Sequence, residues 1–118
     1  MPVVPLNLRL GTDLVFMPRY QKHLDNPIFL KRILTENEQA IYNKLKLDSR
    51  KLEFICGRYA AKEAYAKAMG KGMGVLDFLD FEVLMDESGK PISNPNTEIS
   101  ISHDGDYTIA VVIVCGEV

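Results

Sequence analysis

Three groups of residues in this 118-residue chain have side chains that could perform chemistry. Glu63 and Lys67 lie four residues apart in a stretch that predicts a helix, so they share one face, one turn apart. Asp13 lies near the end of a predicted strand, and Ser102 and His103 end another. A carboxylate and an ammonium at this spacing are either a rigid functional pair or an ordinary helix-stabilising ion pair.

Position alone does not separate function from structure at these sites. An acid such as Asp13 after a glycine can bring a carboxylate to a ligand, but it can equally be a turn residue. A single histidine at a strand end, such as His103, is commonly an exposed polar side chain. The residues by themselves therefore leave both interpretations open.

Residues 53–72 predict the long helix that would carry Glu63 and Lys67. Among its first seventeen residues only Gly57 is a poor helix former, and Gly70-Lys71-Gly72 supplies a stop. Bulky apolar side chains fill one arc of its circumference and small ones a second arc, which is typical of a buried helix. Ionisable groups on such a helix are costly unless they are paired, hydrogen-bonded or bound to a metal.

The first half of the chain predicts a strand followed by short helices. Residues 3–14 alternate as a half-buried strand, interrupted near its end at residues 11–13, with one apolar face made by Leu6, Leu8 and Leu10. Residues 16–34 predict two short helical pieces, broken near Asp25-Asn26-Pro27.

A capping box at Thr35 and Glu38 begins the next predicted helix, which runs to about Lys46. This helix would bury Ile41, Tyr42 and Leu45. We expect Asp48 or Ser49 to cap the long helix that follows.

The second half predicts strands. Residues 78–85 predict one strand, residues 98–102 and 107–115 predict two more, and the Asp-Gly pair in the 103–106 connection favours a hairpin. The order of strand, helices and strands predicts a single α+β domain over residues 1–118, with a long buried helix packed on a small antiparallel sheet.

Composition narrows the functional class. The hydrophobic fraction is 47% and the charged fraction 25%, as in ordinary globular proteins. The two cysteines have no zinc or disulfide spacing, and no apolar run resembles a membrane span or signal peptide. We therefore expect a cytoplasmic protein with neither a membrane nor nucleic acid as its partner.

Charge is unevenly distributed along the chain. Residues 44–71 hold eight Lys or Arg against three acids, whereas residues 77–106 hold eight acids against one lysine. Such asymmetry can hold an anionic ligand near the basic stretch, although solvated charge runs explain it equally. The predicted short helices carry further basic side chains beside an apolar one; these are Arg19, Lys22, Phe29 and Arg32. They form either a docking face for an acidic protein or an ordinary solvated surface.

The motifs together resemble those of the holo-[acyl-carrier-protein] synthase family, the small bacterial 4′-phosphopantetheinyl transferases. The similarity runs nearly end to end and is specific through the order and spacing of its parts. These are residues 11–15 (GTDLV), 32–36 (RILTE), 57–64 (GRYAAKEA), 80–83 (DFEV), 89–91 (GKP) and 100–103 (SISH).

The resemblance implies the chemistry and its residues. The family transfers 4′-phosphopantetheine from coenzyme A to a serine of acyl carrier protein and releases adenosine 3′,5′-bisphosphate. Asp13 and Glu63 would hold Mg²⁺ against the pyrophosphate, as expected for a metal that prefers oxygen ligands and substrate phosphates. Lys67 would stabilise the leaving group, and Glu63 would accept the serine proton directly or through a metal-bound water.

The resemblance also implies ligand and partner contacts. Ser102 and His103 match residues that bind the nucleotide end of coenzyme A near its 3′-phosphate, and Gly70 and Gly72 belong to the same binding set. Arg58 is either a further coenzyme A contact or, with Lys62, part of a structural ion pair. The basic set at Arg19, Lys22, Phe29 and Arg32 matches the carrier-docking region.

The family is typically a homotrimer with active sites between subunits. The resemblance therefore implies that Ser102 and His103 of one chain face Asp13 and Glu63 of a neighbour.

Some positions depart from the family pattern. The family commonly has Gly-Thr-Gly at residues 70–72, a longer segment after Pro91, and a small hydroxyl residue where this chain has Asp104. Two other functions remain open on the residues alone: a magnesium nuclease and a non-catalytic nucleotide- or carrier-binding module. A nuclease usually needs Glu-x-Lys on a strand, which this chain lacks at Glu63 and Lys67.

Overall fold

Helix α3 (Asp48–Ala68) is the longest element and packs across a three-stranded antiparallel sheet. The computed structural model describes residues 7–72 and 76–116. The remaining elements are β1 (Leu8–Phe16), a 3-10 helix (Met17–His23), α1 (Pro27–Ile33), α2 (Glu36–Lys44), a second 3-10 helix (Phe78–Asp80), β2 (Leu84–Met85), β3 (Pro91–Ile92), β4 (Thr97–Asp104) and β5 (Tyr107–Cys115). This is the predicted α+β arrangement.

The main sheet has the order β1-β5-β4, and β2 pairs with β3 in a separate two-stranded hairpin. Val112 of β5 pairs with Gly11 on one side and Ile99 on the other. Val112, Ile99 and Ala110 are buried and belong to the hydrophobic core beneath α3. Within the described residues no helix is both long enough and apolar enough to span a membrane.

Strand β1 approaches α3 at Gly11. A Cβ at this position would lie 1.8 Å from the Ala64 carbonyl oxygen and 2.8 Å from the Ala68 amide nitrogen. Any side chain at Gly11 would therefore force the strand and the helix apart. Because side chains alternate along a strand, Asp13 and Val15 share the α3-facing side with Gly11.

Strand β1 is half-buried as predicted, but its leucine face is not the buried one. Leu8 and Leu10 are 59% and 65% exposed, and the strand runs without interruption through residues 11–13. The contact at Gly11 decides which face of β1 turns inward. Because side chains alternate along a strand, the leucines at even-numbered positions then point outward. Leu6 of the predicted face lies outside the described residues.

The two short helical pieces are confirmed, with the first of them a 3-10 helix. The Asn26 side chain accepts hydrogen bonds from the Ile28 and Phe29 amides at 3.1 and 3.3 Å and begins α1. The capping box at Thr35 and Glu38 is also confirmed, and α2 buries Tyr42.

The prediction that Asp48 or Ser49 caps α3 was wrong, since Leu47 occupies the cap position without a side-chain hydrogen bond. Helix α3 ends as predicted before Gly70, whose φ of 71° is readily adopted only by glycine.

The predicted strand over residues 78–85 was also wrong. Several of its backbone groups form hydrogen bonds with side chains instead of with a neighbouring strand. The Val83 amide donates to Glu38 Oε2 at 2.7 Å, and Arg58 donates to the Val83 and Leu84 carbonyls at 3.0 Å each. Only Leu84 and Met85 pair with another strand. In contrast, the β4–β5 hairpin is confirmed and turns at Gly105, with φ 57°.

A buried ion pair joins four segments of the fold. Lys62 Nζ and Glu38 Oε1 are 2.7 Å apart, and both side chains are fully buried. Lys62 also donates to the Ile33 and Phe78 carbonyls at 2.7 and 2.8 Å. Burial lowers the Lys62 pKa, while Glu38 raises it in part. The sequence indicated only the capping role of Glu38.

Loss of Lys62 should destabilise the protein strongly. Lys62→Met leaves the Glu38 carboxylate buried without its cation, and we expect a loss of about 3–5 kcal/mol in the free energy of unfolding. Urea denaturation followed by circular dichroism measures this change. The matched control is Lys90→Met, which breaks an exposed pair with Glu98 and should cost at most about 1 kcal/mol. Equal losses in the two variants would contradict the structural role of Lys62.

Candidate active site

Asp13, Glu63 and Lys67 come together where β1 passes α3. Lys67 Nζ donates to Asp13 Oδ1 and to the Thr12 carbonyl, each at 3.0 Å. Among the described residues Lys67 forms its ion pair with Asp13 and not with Glu63. The ordinary helix pair that the spacing left open is therefore replaced by a contact between helix and strand.

The two carboxylates of this group share one cavity of about 250 Å³. Burial raises the pKa of Glu63, the Asp13 charge raises it further, and Lys67 lowers it. No hydrogen bond to the Glu63 carboxylate is formed by the residues the structure describes. We call this space the carboxylate cavity. Its remaining lining residues are Leu14, Val15, Phe16, Arg19, Tyr20 and Tyr59.

The carboxylate cavity suits a divalent cation of the magnesium type. Asp13 and Glu63 present hard oxygen donors, and the repulsion that raises the Glu63 pKa would be relieved by a cation between them. Within residues 7–72 and 76–116 there is no group of three or more His, Cys, Asp or Glu side chains arranged to hold a metal. Two protein carboxylates with substrate phosphates and water is the usual way in which Mg²⁺ is bound.

His103 lines a different cavity, of about 230 Å³, beside the N-terminal half of α3. Its Nδ1 lies 2.7 Å from the Thr108 hydroxyl, and a Cβ added to Gly57 of α3 would lie 3.7 Å from its ring. Arg50, Arg58 and His103 all line this space, so we call it the basic cavity. Burial lowers the His103 pKa, Arg50 and Arg58 lower it further, and Glu53 raises it.

The basic cavity and the carboxylate cavity share no lining residue within the chain. Ser102, which precedes His103, is exposed and pairs with Ile109 in the β4–β5 ladder. No motif in the sequence predicted a role for Arg50. The only signal for it was the excess of basic residues over positions 44–71.

Arg58 is held by the fold on one side of the basic cavity. Its guanidinium lies 4.2 Å from the Phe54 ring centroid, and two of its nitrogens donate to backbone carbonyls. Burial lowers its pKa to about 10, although Glu38 opposes this shift. The structural ion pair that the sequence left open as a role is confirmed for Lys62, which pairs with Glu38, whereas Arg58 is held by backbone carbonyls.

The glycines of the predicted coenzyme A set follow α3. The Gly70 amide donates to the Lys67 carbonyl at 3.0 Å, a hydrogen bond that closes the end of the helix at Lys67. Gly72 is exposed and follows it closely. Their contacts with coenzyme A remain a prediction.

The predicted docking residues lie on the 3-10 helix and on α1. Arg19, Lys22 and Arg32 are exposed, whereas Phe29 is half-buried. The Phe29 ring stacks on His23 with centroids 4.1 Å apart, and Arg19 lies 5.8 Å from the Phe16 ring. The surface therefore combines cations with an aromatic base.

Comparison with known proteins assigns the family. A profile described as the 4′-phosphopantetheinyl transferase superfamily matches residues 9–112. A holo-[acyl-carrier-protein] synthase of Bacillus cereus (strain B4264) is 47% identical over 111 residues, covering 89% of this chain and 92% of that protein.

Solved structures agree with the sequence match. The crystal structure of a Bacillus anthracis holo-(acyl-carrier-protein) synthase in complex with coenzyme A (3′,5′-ADP) is similar with a TM-score of 0.82 and 42% identity, covering 92% of this chain and 96% of that chain. A Helicobacter pylori holo-[acyl-carrier-protein] synthase in complex with coenzyme A gives a TM-score of 0.78 and 30% identity over 91% of this chain and 99% of that chain. The chain therefore belongs to the holo-[acyl-carrier-protein] synthase family of the 4′-phosphopantetheinyl transferase superfamily.

Proposed function

We propose that the protein transfers the 4′-phosphopantetheine group from coenzyme A to a serine of apo acyl carrier protein, with Mg²⁺ bound by Asp13 and Glu63. The observation that carries this proposal is that both carboxylates line one cavity and that Lys67 binds one of them, Asp13, in a chain of this family. When bound, Mg²⁺ supplies charge neutralisation on the pyrophosphate.

The side chains of the site have distinct tasks in this reaction. Lys67 contacts the pyrophosphate and stabilises the charge that develops on the departing adenosine 3′,5′-bisphosphate. Glu63 accepts the proton of the serine hydroxyl, whose oxygen then forms the new bond to the β-phosphorus as the bond to the bridging oxygen breaks. Glu63 is suited to this task because its carboxylate lines the cavity and accepts no hydrogen bond from the residues that the structure describes.

The basic cavity is the proposed site for the nucleotide end of coenzyme A. Arg50, Arg58 and His103 can together meet a phosphate with charge-assisted hydrogen bonds. An anion there would favour protonated His103 and offset the lowering of its pKa by Arg50 and Arg58. This supports assigning the 3′-phosphate to these three residues.

We propose a homotrimer in which the two cavities meet across subunits. The outward face of the sheet supports this, because it exposes large apolar side chains on adjacent strands. These are Leu8, Leu10, Leu14, Tyr107 and Ile109, each at least 41% exposed. The separation of the two cavities within one chain supports the same arrangement, since coenzyme A must reach both.

The carrier is proposed to dock on the basic surface formed by Arg19, Lys22, Phe29 and Arg32. Exposed cations beside a partly buried aromatic suit an acidic protein partner, and they lie next to the carboxylate cavity, which Arg19 also lines. We also propose that the protein acts in fatty acid biosynthesis in the cytoplasm. Depletion of the protein followed by mass analysis of the cellular carrier tests this assignment.

Incubation with apo acyl carrier protein, coenzyme A and Mg²⁺ should add one phosphopantetheine to the carrier, as measured by intact-protein mass spectrometry. Glu63→Gln should lower the rate about a hundredfold or more, because the base is lost. A chelator should abolish the reaction in the unmodified protein. Glu87→Gln, in an exposed turn, is the matched control and should be fully active. Binding of coenzyme A without any modified carrier would favour the binding-module hypothesis.

Comparing coenzyme A with a substrate that lacks the 3′-phosphate tests whether the basic cavity binds this phosphate. We expect His103→Ala and Arg50→Ala each to raise the KM for coenzyme A about tenfold, the effect of losing one charge-assisted hydrogen bond. With dephospho-coenzyme A, which lacks the 3′-phosphate, the same substitutions should change the KM by less than about twofold. Equal effects on both substrates would contradict this assignment.

Mixed trimers should recover activity from two impaired variants. A Glu63→Gln chain still provides His103, and a His103→Ala chain still provides Glu63, so one pairing of neighbours rebuilds an intact site. Random mixing of equal amounts should restore about a quarter of the parent sites. Rates are measured after co-refolding, at coenzyme A concentrations below the KM, beside each variant alone. Activity equal to the sum of the separate variants would contradict sites shared between chains.

A further inference from the structure

A row of aromatic rings leads from the proposed docking surface to the carboxylate cavity. The ring centroids of Phe29 and Tyr20 are 6.1 Å apart, and those of Tyr20 and Tyr59 are 5.1 Å apart. Tyr20 and Tyr59 line the carboxylate cavity together with Asp13 and Glu63. The row therefore connects the surface that would receive a carrier with the groups that would perform the transfer.

Helix α3 sets the order of the candidate groups along the proposed site. Tyr59, Glu63 and Lys67 follow one another at intervals of four residues, so they share one helix face, with about 6 Å of rise between neighbours. Lys67 is at the end assigned to the pyrophosphate. Tyr59 is at the opposite end, beside Tyr20 and therefore towards the docking surface.

The Tyr59 hydroxyl is a neutral donor at this position. Burial raises its pKa, and the neighbouring Tyr20, Glu63 and Asp13 raise it further. The phenol therefore keeps its proton throughout the range in which Glu63 titrates. The ring contacts of Tyr59 with Tyr20 and Phe78 could equally be made by phenylalanine, so the hydroxyl is left to interact with the Tyr20 side chain or with an incoming group.

We propose that Tyr59, supported by Tyr20, forms the acceptor subsite that positions the carrier serine beside Glu63. This inference rests on the proposed transferase function. The Tyr59 hydroxyl hydrogen-bonds the serine oxygen as it enters from the docking side and directs it past the Glu63 carboxylate to the phosphorus. Tyr59 neither gives up nor gains a proton, since the serine proton passes to Glu63. It is a positioning residue for the attacking atom.

The test is Tyr59→Phe, which removes the hydroxyl and keeps the ring. We expect kcat to fall about tenfold, because the serine loses one orienting hydrogen bond. The KM for coenzyme A should stay within about twofold, because coenzyme A does not touch this hydroxyl. The dissociation constant for the carrier should change much less than kcat, because the docking surface makes most of the carrier contacts. Tyr20→Phe should have a smaller effect, and the double variant should lose less than the product of the two.

The matched control is Tyr65→Phe. Tyr65 lies on the same helix but stacks on Phe81, with ring centroids 3.8 Å apart, and does not line the carboxylate cavity. The Tyr65→Phe substitution should leave kcat unchanged. Thermal unfolding of all variants, recorded in parallel, should show Tyr59→Phe to be as stable as the control. A fall in kcat that tracks stability would reduce Tyr59 to a packing role and overturn the proposal.

The pH dependence of kcat separates the remaining alternatives. Tyr59→Phe should lower the curve at every pH without changing its shape. A curve displaced along the pH axis would mean that the Tyr59 hydroxyl acts on an ionisable group of the site instead of the serine. A raised KM for coenzyme A at constant kcat would assign the hydroxyl to the coenzyme A site. Either result, or an unchanged kcat, overturns the acceptor subsite, whereas an inactive parent protein overturns the transferase function itself.

Discussion

The close approach of β1 to α3 at Gly11 determines the geometry of the candidate site. The strand backbone lies against Ala64 and Ala68, where no side chain can be accommodated. Two residues further along the same strand face, Asp13 reaches Lys67 at 3.0 Å and shares a cavity with Glu63. The functional side chains meet because small residues on both elements allow their backbones to touch. The same contact fixes the register of the sheet and turns the leucines of β1 outward.

A second constraint holds the helix that carries the site. The Glu38–Lys62 pair joins α1, α2, α3 and the segment before β2 through hydrogen bonds that are all 2.8 Å or shorter. Lys62 immediately precedes Glu63, so the buried cation is anchored next to the exposed edge of the helix on which the chemistry is proposed. Such a network is stabilising only when every member is satisfied, and here the backbone carbonyls complete the coordination of the ammonium.

Local sequence signals predicted the helices, the hairpin and the glycine after α3, because capping, periodicity and turn chemistry act over a few residues. They failed where distant residues decide the outcome. The strand predicted over residues 78–85 is replaced by contacts with Glu38 and Arg58, which lie up to 45 residues away. The burial of Leu8 and Leu10 was predicted wrongly because the alternation identifies two faces but does not say which one meets α3. Asp13, Glu63 and Lys67 were identified by family motifs, whereas their mutual contacts depend on the crossing at Gly11.

The outward face of the main sheet has a consequence for how this protein becomes functional in the cell. Strand β5 turns Ala110 and Val112 towards α3 and Tyr107 and Ile109 towards the solvent, so both of its sides are mainly apolar. If three chains cover this face, a newly synthesised chain has this apolar surface uncovered and lacks a complete site. Activity then appears only after chains have met. The rate at which active trimers form therefore rises more steeply than the rate at which chains are synthesised.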